Sequence, residues 1–283
     1  MTGVLNLLHA PLGQPGSGRL RYGAAMALWR DGLISAEVLE VYRIASAHDA
    51  RDPLDVLARL GLPLPPKPPV DLPTARLYGA ARDYLLRLHH PGAAEVRAGL
   101  PADPGPGRVM TPRPNAVAER WLPEACRLLS ASEPLLAGAI AAASGALSWI
   151  TYDAYPRAAI GEDFAAGHCF ASILGGDAPF AADDFELGLF LIAPNVLYRD
   201  HRHAAPELYA PLTGPHGWRF RPGRPLIVKP AHQPVWNPPH QPHFTKVGAV
   251  PFLSLFVWTR DVNETAQVIA ADDWAMLEGA AIG

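Results

Sequence analysis

The sequence has few cysteines, little excess charge and no long hydrophobic run, and each scarcity excludes a class of protein. Its two cysteines, Cys126 and Cys169, lack metal-ligand spacing and lie among apolar residues, so we expect buried free thiols in a reducing compartment. A net charge of −3 offers no basic surface for nucleic acid. No apolar run is long enough to cross a bilayer, and the first residues lack a secretory signal pattern. These absences predict a cytoplasmic protein that binds neither nucleic acid nor membrane.

Glycine and proline are plentiful instead, at 25 and 31 residues, which predicts many turns. Apolar residues recur at helical spacing through the first half, where the proline-rich stretch 61–73 predicts a stiff connector. Short runs rich in β-branched and aromatic residues follow, separated by Gly, Pro and Asp. We therefore predict an α+β protein with a helical N-terminal region (1–145) and a C-terminal antiparallel β-barrel domain (146–283). The predicted strands include 147–155, 168–175, 185–193, 225–230 and 250–259.

Histidines are concentrated in one segment, since six of the 11 lie within residues 201–243. His201 and His203 are two residues apart, so in a strand they point to the same side with Cα atoms ~6–7 Å apart. Glu207 has the same parity, and Pro206 predicts a bend before it. Two imidazoles and a carboxylate suit Fe(II), Zn, Ni or Mn, with coordination positions left open for a ligand. The segment therefore predicts a metal site.

A further ligand is expected from a neighbouring strand, for which His240 and His243 are the candidates. We favour His243 because it begins the strand-like run HFTKV, whereas His240 lies between proline and glutamine in a predicted loop. A His-x-His pair alone is weak, and the combination with a glutamate and a later histidine is what favours metal binding. His216 and His232, like His240, are interpreted as loop or rim residues.

The metal-ligand candidates share a recognisable order along the chain. His201, His203 and Glu207 come first and His243 comes later. Tyr209, which is not a ligand candidate, follows Glu207 two residues on. This order resembles the first and second metal motifs of a cupin, and the version ending in Glu-x-Tyr is similar to the cupin-type dimethylsulfoniopropionate (DMSP) lyases. Tyr198 matches a tyrosine that this family has shortly before its first histidine. The resemblance covers roughly residues 118–261. Phe244 departs from it, since the family usually has a small residue there, and we expect Phe244 near the substrate.

The resemblance implies a fold, a cofactor and a reaction. The fold is the cupin β-barrel, or double-stranded β-helix, and the cofactor is a divalent transition metal (Fe, Mn, Ni or Zn). The implied metal ligands are His201, His203, Glu207 and His243. The implied activity is that of a carbon–sulfur lyase, which cleaves DMSP or a related small β-substituted carboxylate by β-elimination to acrylate and dimethyl sulfide.

The chemistry of such an elimination assigns roles to further residues. The proton next to a carboxylate is very weakly acidic, so a metal that neutralises the carboxylate helps its removal. A nearby cation also lowers a tyrosine pKa from ~10, which makes Tyr209 the favoured base and Tyr198 a second base or an orienting hydroxyl. Lys246 either anchors a carboxylate or is a solvated strand lysine. Aromatic faces attract a sulfonium group, and the candidates are Trp149, Tyr152, Tyr155, Phe190, Trp236 and Trp258.

Two other classes of function stay open at this point. A cupin with the same metal could be an isomerase or an Fe(II) oxygenase, because fold does not settle chemistry. Alternatively, the barrel could be a non-catalytic sensor of a small ligand. The partner we expect is a small-molecule carboxylate. The helical region could cap the barrel, serve as a lid or form the contact of a homodimer.

Overall fold

The protein is represented by a computed structural model that describes residues 2–66, 72–105, 107–108 and 110–282. The chain divides into two compact units, Met1–Asp71 and Leu72–Gly283. The division falls within the proline-rich stretch, of which residues 67–71 lie outside the described residues. The predicted boundary at residue 145 separates mainly helical from mainly strand sequence and falls inside the second unit, because several helices pack on the strands.

The first unit is helical, and its last helix begins and ends at residues typical of helix ends. Asp52 accepts a hydrogen bond from the Leu54 N–H and Pro53 occupies the first turn, so the last helix starts there. Gly61 ends that helix in the left-handed conformation (φ +64°). Leu28 and Leu57 are fully buried in the core of the unit. The helices are α1 (Thr2–Leu8), α2 (Ser17–Arg30), α3 (Ala36–Ala45) and α4 (Pro53–Leu60).

The second unit begins with helices and ends with one. Asn115 caps its third helix by accepting from the Val117 N–H (2.9 Å), and Pro123 lies inside that helix without ending it. The helices are α5 (Pro73–Leu86), α6 (Pro91–Gly99), α7 (Ala116–Leu129), α8 (Pro134–Ala143), a 3₁₀ turn (Ser144–Ala146), α9 (Arg157–Ile160), α10 (Glu162–Gly167) and, at the C-terminus, α11 (Trp274–Glu278). Among the described residues, no helix combines the length and the apolar character needed to span a membrane.

In the part of the chain that the structure describes, ten strands form two five-stranded sheets. They are β1 (His168–Leu174), β2 (Glu186–Ile192), β3 (Leu197–Arg202), β4 (Glu207–Pro211), β5 (His216–Arg219), β6 (Ile227–Lys229), β7 (Val235–Asn237), β8 (His243–Val247), β9 (Phe252–Trp258) and β10 (Gln267–Val268). The sheet orders are β1-β2-β9-β4-β7 and β10-β3-β8-β5-β6, with antiparallel pairing between these strands. This confirms the predicted α+β class, although strand pairing leaves two facing sheets and does not close them into one barrel.

One predicted strand is wrong. In residues 147–155 only Ser148 and Ile150 form isolated bridges, and the chain then leaves the sheet and turns into α9 and α10 before β1 begins. The remaining predicted strands are observed, with 225–230 reduced to the three residues of β6.

The first sheet is buried on both faces, which explains its nearly continuous apolar strands. Leu187, Leu189 and Leu191 of β2 join the core that includes α5, α7 and α8. Phe190, on the opposite face, packs among aromatic residues of both sheets. Both cysteines are buried free thiols, as predicted, within the core on the helical side. The space between the two sheets is where the candidate site lies.

Candidate metal centre and its cavity

The candidate ligands lie where the chain crosses from one sheet to the other. His201 lies on β3 of the second sheet, and His203 follows immediately after that strand ends. The chain then bends, as Pro206 predicts, and Glu207 begins β4 of the first sheet. His243 begins β8 and is paired directly with His201. The four side chains are therefore brought together from two facing sheets.

A β-bulge in β3 decides which side chains face inward. Tyr198 pairs with Thr245 of β8, and the next pair is His201 with His243. The chain therefore advances three residues on β3 for two residues on β8. Residues three apart on a regular strand point to opposite faces, whereas the bulge turns Tyr198 and His201 to the same side. Their rings stack with centroids 3.8 Å apart. The sequence pattern did not predict this bulge.

A buried ion pair holds the bulged backbone from its outer side. Asp200 and Arg219 have fully buried side chains, and the Arg219 Nε donates to Asp200 Oδ1 at 3.0 Å. The Trp274 indole N–H also donates to Asp200 (2.8 Å), and Asp273 pairs with Arg219 (2.6 Å). The C-terminal segment therefore braces β3 next to His201.

Backbone carbonyls fix the proton on each of the three histidine rings. His201 Nδ1 lies 2.8 Å from the Arg199 carbonyl, and the Nδ1 atoms of His203 and His243 are equally close to other carbonyl oxygens. A carbonyl can only accept, so Nδ1 carries the hydrogen and Nε2 keeps its lone pair. The buried Nε2 atoms of His201 and His243 have no hydrogen-bond partner. One ligand atom from each histidine lies within 4.8 Å of the other two.

Glu207 adds a carboxylate beside two of these rings. Its Oε2 lies 3.3 Å from His203 Nε2 and 3.3 Å from His243 Nε2, while Asn237 and Trp258 donate to its oxygens at 3.1 and 2.8 Å. Burial raises the pKa of Glu207, but the neighbouring histidines outweigh burial and hold it well below its usual range. Imidazole lone pairs facing a carboxylate repel unless a cation or proton lies between them. This donor set therefore fits a divalent cation.

The carboxylate of Glu207 faces a cavity of about 350 Å³ between the sheets. Tyr198 and Tyr209 also line it, so the structure brings both predicted tyrosines to the candidate metal centre. The polar lining also includes Ser172, Glu186 and Asn263. The aromatic lining consists of Tyr152, Tyr155, Phe170, Phe185, Phe190, Phe256 and Trp258.

The tyrosine hydroxyls are buried and differ in their neighbours. Burial, followed by the charge of Glu207, raises the pKa of Tyr209 well above its ordinary value. Burial also raises the pKa of Tyr198, whose hydroxyl lies 2.8 Å from that of Tyr155. Tyr155 was named in the sequence only as an aromatic candidate. Its place at the end of the predicted strand 147–155 gave no signal of this hydroxyl pair.

Four of the six aromatic candidates line the cavity, namely Tyr152, Tyr155, Phe190 and Trp258. Trp149 and Trp236 do not, because they pack in or against the core on the helical side of the first sheet. The sequence alone could not separate these groups, since the distinction depends on the sheet face to which each ring points.

Three interpretations outside the metal ligands are wrong. Phe244 is fully buried on the other face of β8, packing with Leu197 and Leu277, so it does not line the cavity. Lys246 is neither solvated nor at the cavity, because its Nζ is buried and donates to two backbone carbonyls at 2.6 Å. His216 lies buried on β5 instead of in a loop or at a rim.

Two facing antiparallel sheets with a buried histidine cluster between them are typical of the cupin fold. The family model for dimethylsulfoniopropionate lyase matches residues 116–254, which contain the candidate ligands, both tyrosines and most of the strands. This part of the chain is therefore similar to the DMSP lyases, the family that the sequence motifs resemble.

Individual relatives show the same similarity. Over 115 residues the chain is 29% identical to dimethylsulfoniopropionate lyase DddQ of Ruegeria pomeroyi, a match covering 41% of this chain and 56% of that protein. The chain thus spans little more than half the length of this curated relative. The crystal structure of DddQ from that organism covers 72% of this chain and 99% of its own, at 21% identity and a TM-score of 0.54. A structure from a study of the DMSP lyases RdDddP and RnDddQII covers 70% and 98%, at 22% identity and a TM-score of 0.56. Both likenesses establish the shared fold.

Proposed function

We propose that this protein is a metal-dependent carbon–sulfur lyase that cleaves DMSP, or a related small β-substituted carboxylate, to acrylate and dimethyl sulfide. The observation that carries the proposal is that two buried tyrosines and Glu207 line one cavity between the sheets, beside three histidines whose ligand nitrogens lie close together. The family match to DMSP lyases supports the same substrate and reaction.

His201, His203, Glu207 and His243 would hold the ion, which would be Fe, Mn, Ni or Zn. A bound divalent cation supplies Lewis acidity, neutralising the substrate carboxylate and stabilising the charge that develops when the neighbouring proton leaves. Asn237 and Trp258 orient the Glu207 carboxylate through their hydrogen bonds, and the backbone carbonyls orient the imidazole rings.

Tyr209 acts as the base in this proposal. Its phenolate oxygen takes the proton from the carbon next to the carboxylate, the released electron pair forms the carbon–carbon double bond, and the carbon–sulfur bond breaks to release dimethyl sulfide. Burial raises the pKa of Tyr209, so deprotonation requires positive charge nearby, and the resulting phenolate is a strong base. Tyr198, paired with Tyr155, orients the substrate by its hydroxyl.

The first test measures dimethyl sulfide by headspace gas chromatography. Purified protein is loaded separately with Fe(II), Mn, Ni and Zn and given DMSP. His243→Gln removes one proposed ligand, whereas His240→Asn removes an exposed imidazole from the same segment at a positive φ (59°) that asparagine tolerates. We expect metal-dependent release from the wild type and His240→Asn, and both metal and activity to be lost in His243→Gln.

The outcomes separate the parts of the proposal. No dimethyl sulfide from metal-loaded wild type would overturn the substrate assignment. Oxygen consumption coupled to turnover would identify an oxygenase instead of a lyase. Full metal content in His243→Gln would remove His243 from the ligand set.

A further inference from the structure

Glu186 lies in the same cross-strand row as the candidate metal centre. In the first sheet, Glu186 of β2 pairs with Trp258 of β9, and Trp258 pairs with Glu207 of β4. Directly paired residues share a face, so the three side chains point into the same cavity, which all three line. Two strand spacings of ~4.8 Å separate the Glu186 and Glu207 backbones by roughly 10 Å.

The Glu186 carboxylate lacks a positively charged partner. Its hydrogen bond comes from the Ser172 hydroxyl, and within the described ranges no Lys or Arg side chain forms an ion pair with it. Burial accordingly raises its pKa. Glu186 is partly buried, and a carboxylate that is partly withdrawn from water without a counter-charge is destabilised, so a cation that enters the cavity would offset part of that cost.

Aromatic rings lie between Glu186 and the metal centre. The Trp258 side chain occupies the middle of the row. Phe256 lies two residues before it on β9 and therefore points to the same face. Gly188, which pairs with Phe256, makes room for that ring, because a Cβ at position 188 would lie 2.5 Å from it. Aromatic faces attract desolvated cations. This side of the cavity therefore carries the Glu186 carboxylate and the rings of Trp258 and Phe256, at distances from Glu207 that the strand pairing sets.

We infer that Glu186, Trp258 and Phe256 form a subsite for a cationic β-substituent and make the cavity selective for onium acids over neutral acids of the same shape. The inference rests on the proposed function, which places the substrate carboxylate at the metal centre. In a β-onium propionate the cationic atom is three single bonds from the carboxyl carbon, so it reaches about one strand spacing from Glu207 towards Glu186. Glu186 is thus a specificity-determining residue, and no proton transfer is assigned to it.

The test compares the binding of two small acids that differ only in charge. One is β-(trimethylammonium)propionate and the other its carbon isostere, in which a tert-butyl group replaces trimethylammonium. Calorimetry on zinc-loaded protein gives a Kd for each. We expect the wild type to bind the cation at least tenfold more tightly, and Glu186→Gln, which keeps the size and the Ser172 hydrogen bond, to reduce the ratio to within about threefold.

The matched control removes a different carboxylate from the same cavity. Asp177 is exposed, so solvent screens its charge and Asp177→Asn should change the ratio by less than twofold. A wild type without preference, or with no measurable binding of either ligand, would overturn the inference. So would an undiminished preference in Glu186→Gln. Because binding of these two acids is measured separately from dimethyl sulfide release, a preference that depends on Glu186 in a protein that releases no dimethyl sulfide would uphold the subsite and reject only the proposed reaction.

Discussion

At the scale of single residues, the chemistry of the histidines is decided by backbone oxygens close in sequence. The ring hydrogens of His201, His203 and His243 go to carbonyls two residues away, which leaves three lone pairs pointing at one another. Burial and the two neighbouring imidazoles also hold the pKa of His201 well below its usual value, so its ring is neutral. Three imidazole rings that converge without hydrogen-bond donors between them are suited to an ion and poorly suited to an empty core.

The two tyrosines at this centre should differ in their effect on turnover. Tyr209→Phe removes the proposed base without creating a cavity, so we expect kcat to fall by ~10²–10⁴ with KM and metal content nearly unchanged. Tyr198→Phe removes an orienting hydroxyl that is already shared with Tyr155, and we expect a smaller fall in kcat with a rise in KM. Steady-state kinetics on DMSP, with metal content by mass spectrometry, make the comparison. A larger loss of kcat in Tyr198→Phe would exchange the two roles.

At the scale of elements, the bulge in β3 and its buried ion pair together set the orientation of the side chains at the candidate site. The extra residue turns Tyr198 and His201 inward together, and Asp200 faces the opposite side, where Arg219 and Trp274 hold it. The C-terminal helix α11 adds a second contact, since Glu278 pairs with Arg199 at 2.7 Å. The backbone of β3, which carries His201, is therefore held in place by the C-terminal segment, some 70 residues later in the sequence.

Asp200→Asn tests this arrangement. The substitution leaves the buried Arg219 guanidinium short of one carboxylate, so we expect a loss of roughly 3 kcal/mol in the free energy of unfolding. We also expect weaker metal binding in the folded protein, because His201 loses its fixed orientation. Urea denaturation and zinc titration measure the two effects. Glu278→Gln breaks a more exposed ion pair on the same strand and should cost less than about 1 kcal/mol. Equal effects of the two substitutions would contradict the role given to Asp200.

The sequence pattern predicted the strands better than the connections between them. Alternation and turn residues located β1, β2 and β9, and the parity of His201 and His203 predicted their shared side. The bulge was not predictable, because an inserted residue is visible only once β8 is paired with β3. The same holds for Glu186, whose place beside the cavity depends on its pairing with Trp258, a residue far along the chain. Features that follow from local spacing, such as the shared side of His201 and His203, could be predicted, whereas the bulge and the position of Glu186 depend on strand register and could not.

At the scale of the whole molecule, interior histidines make the fold sensitive to acid. His168 donates from Nδ1 to the Phe164 carbonyl and accepts from the Tyr152 N–H, and burial lowers its pKa to about 4. His216 accepts from the Gly248 N–H, and burial lowers its pKa to about 4 as well. Their unfolded pKa is near 6.5, so between about pH 6.5 and 4 the unfolded chain binds more protons than the folded one. Stability is therefore complete above pH 6.5 and is lost as pH falls towards 4.

Each of these two histidines should cost about 2 kcal/mol of unfolding free energy between pH 7 and pH 5. His216→Asn keeps an acceptor for the Gly248 N–H and removes one titrating group. Between pH 7 and pH 5 the free energy of unfolding should therefore decrease in both proteins, but by about 2 kcal/mol less in the variant than in the wild type. Urea denaturation of both metal-free proteins at a series of pH values measures the difference, in which contributions from the metal centre cancel. Parallel pH profiles would show that His216 is not held neutral in the folded state, whereas a shallower profile in the variant would make the buried imidazole a source of acid sensitivity independent of the candidate site.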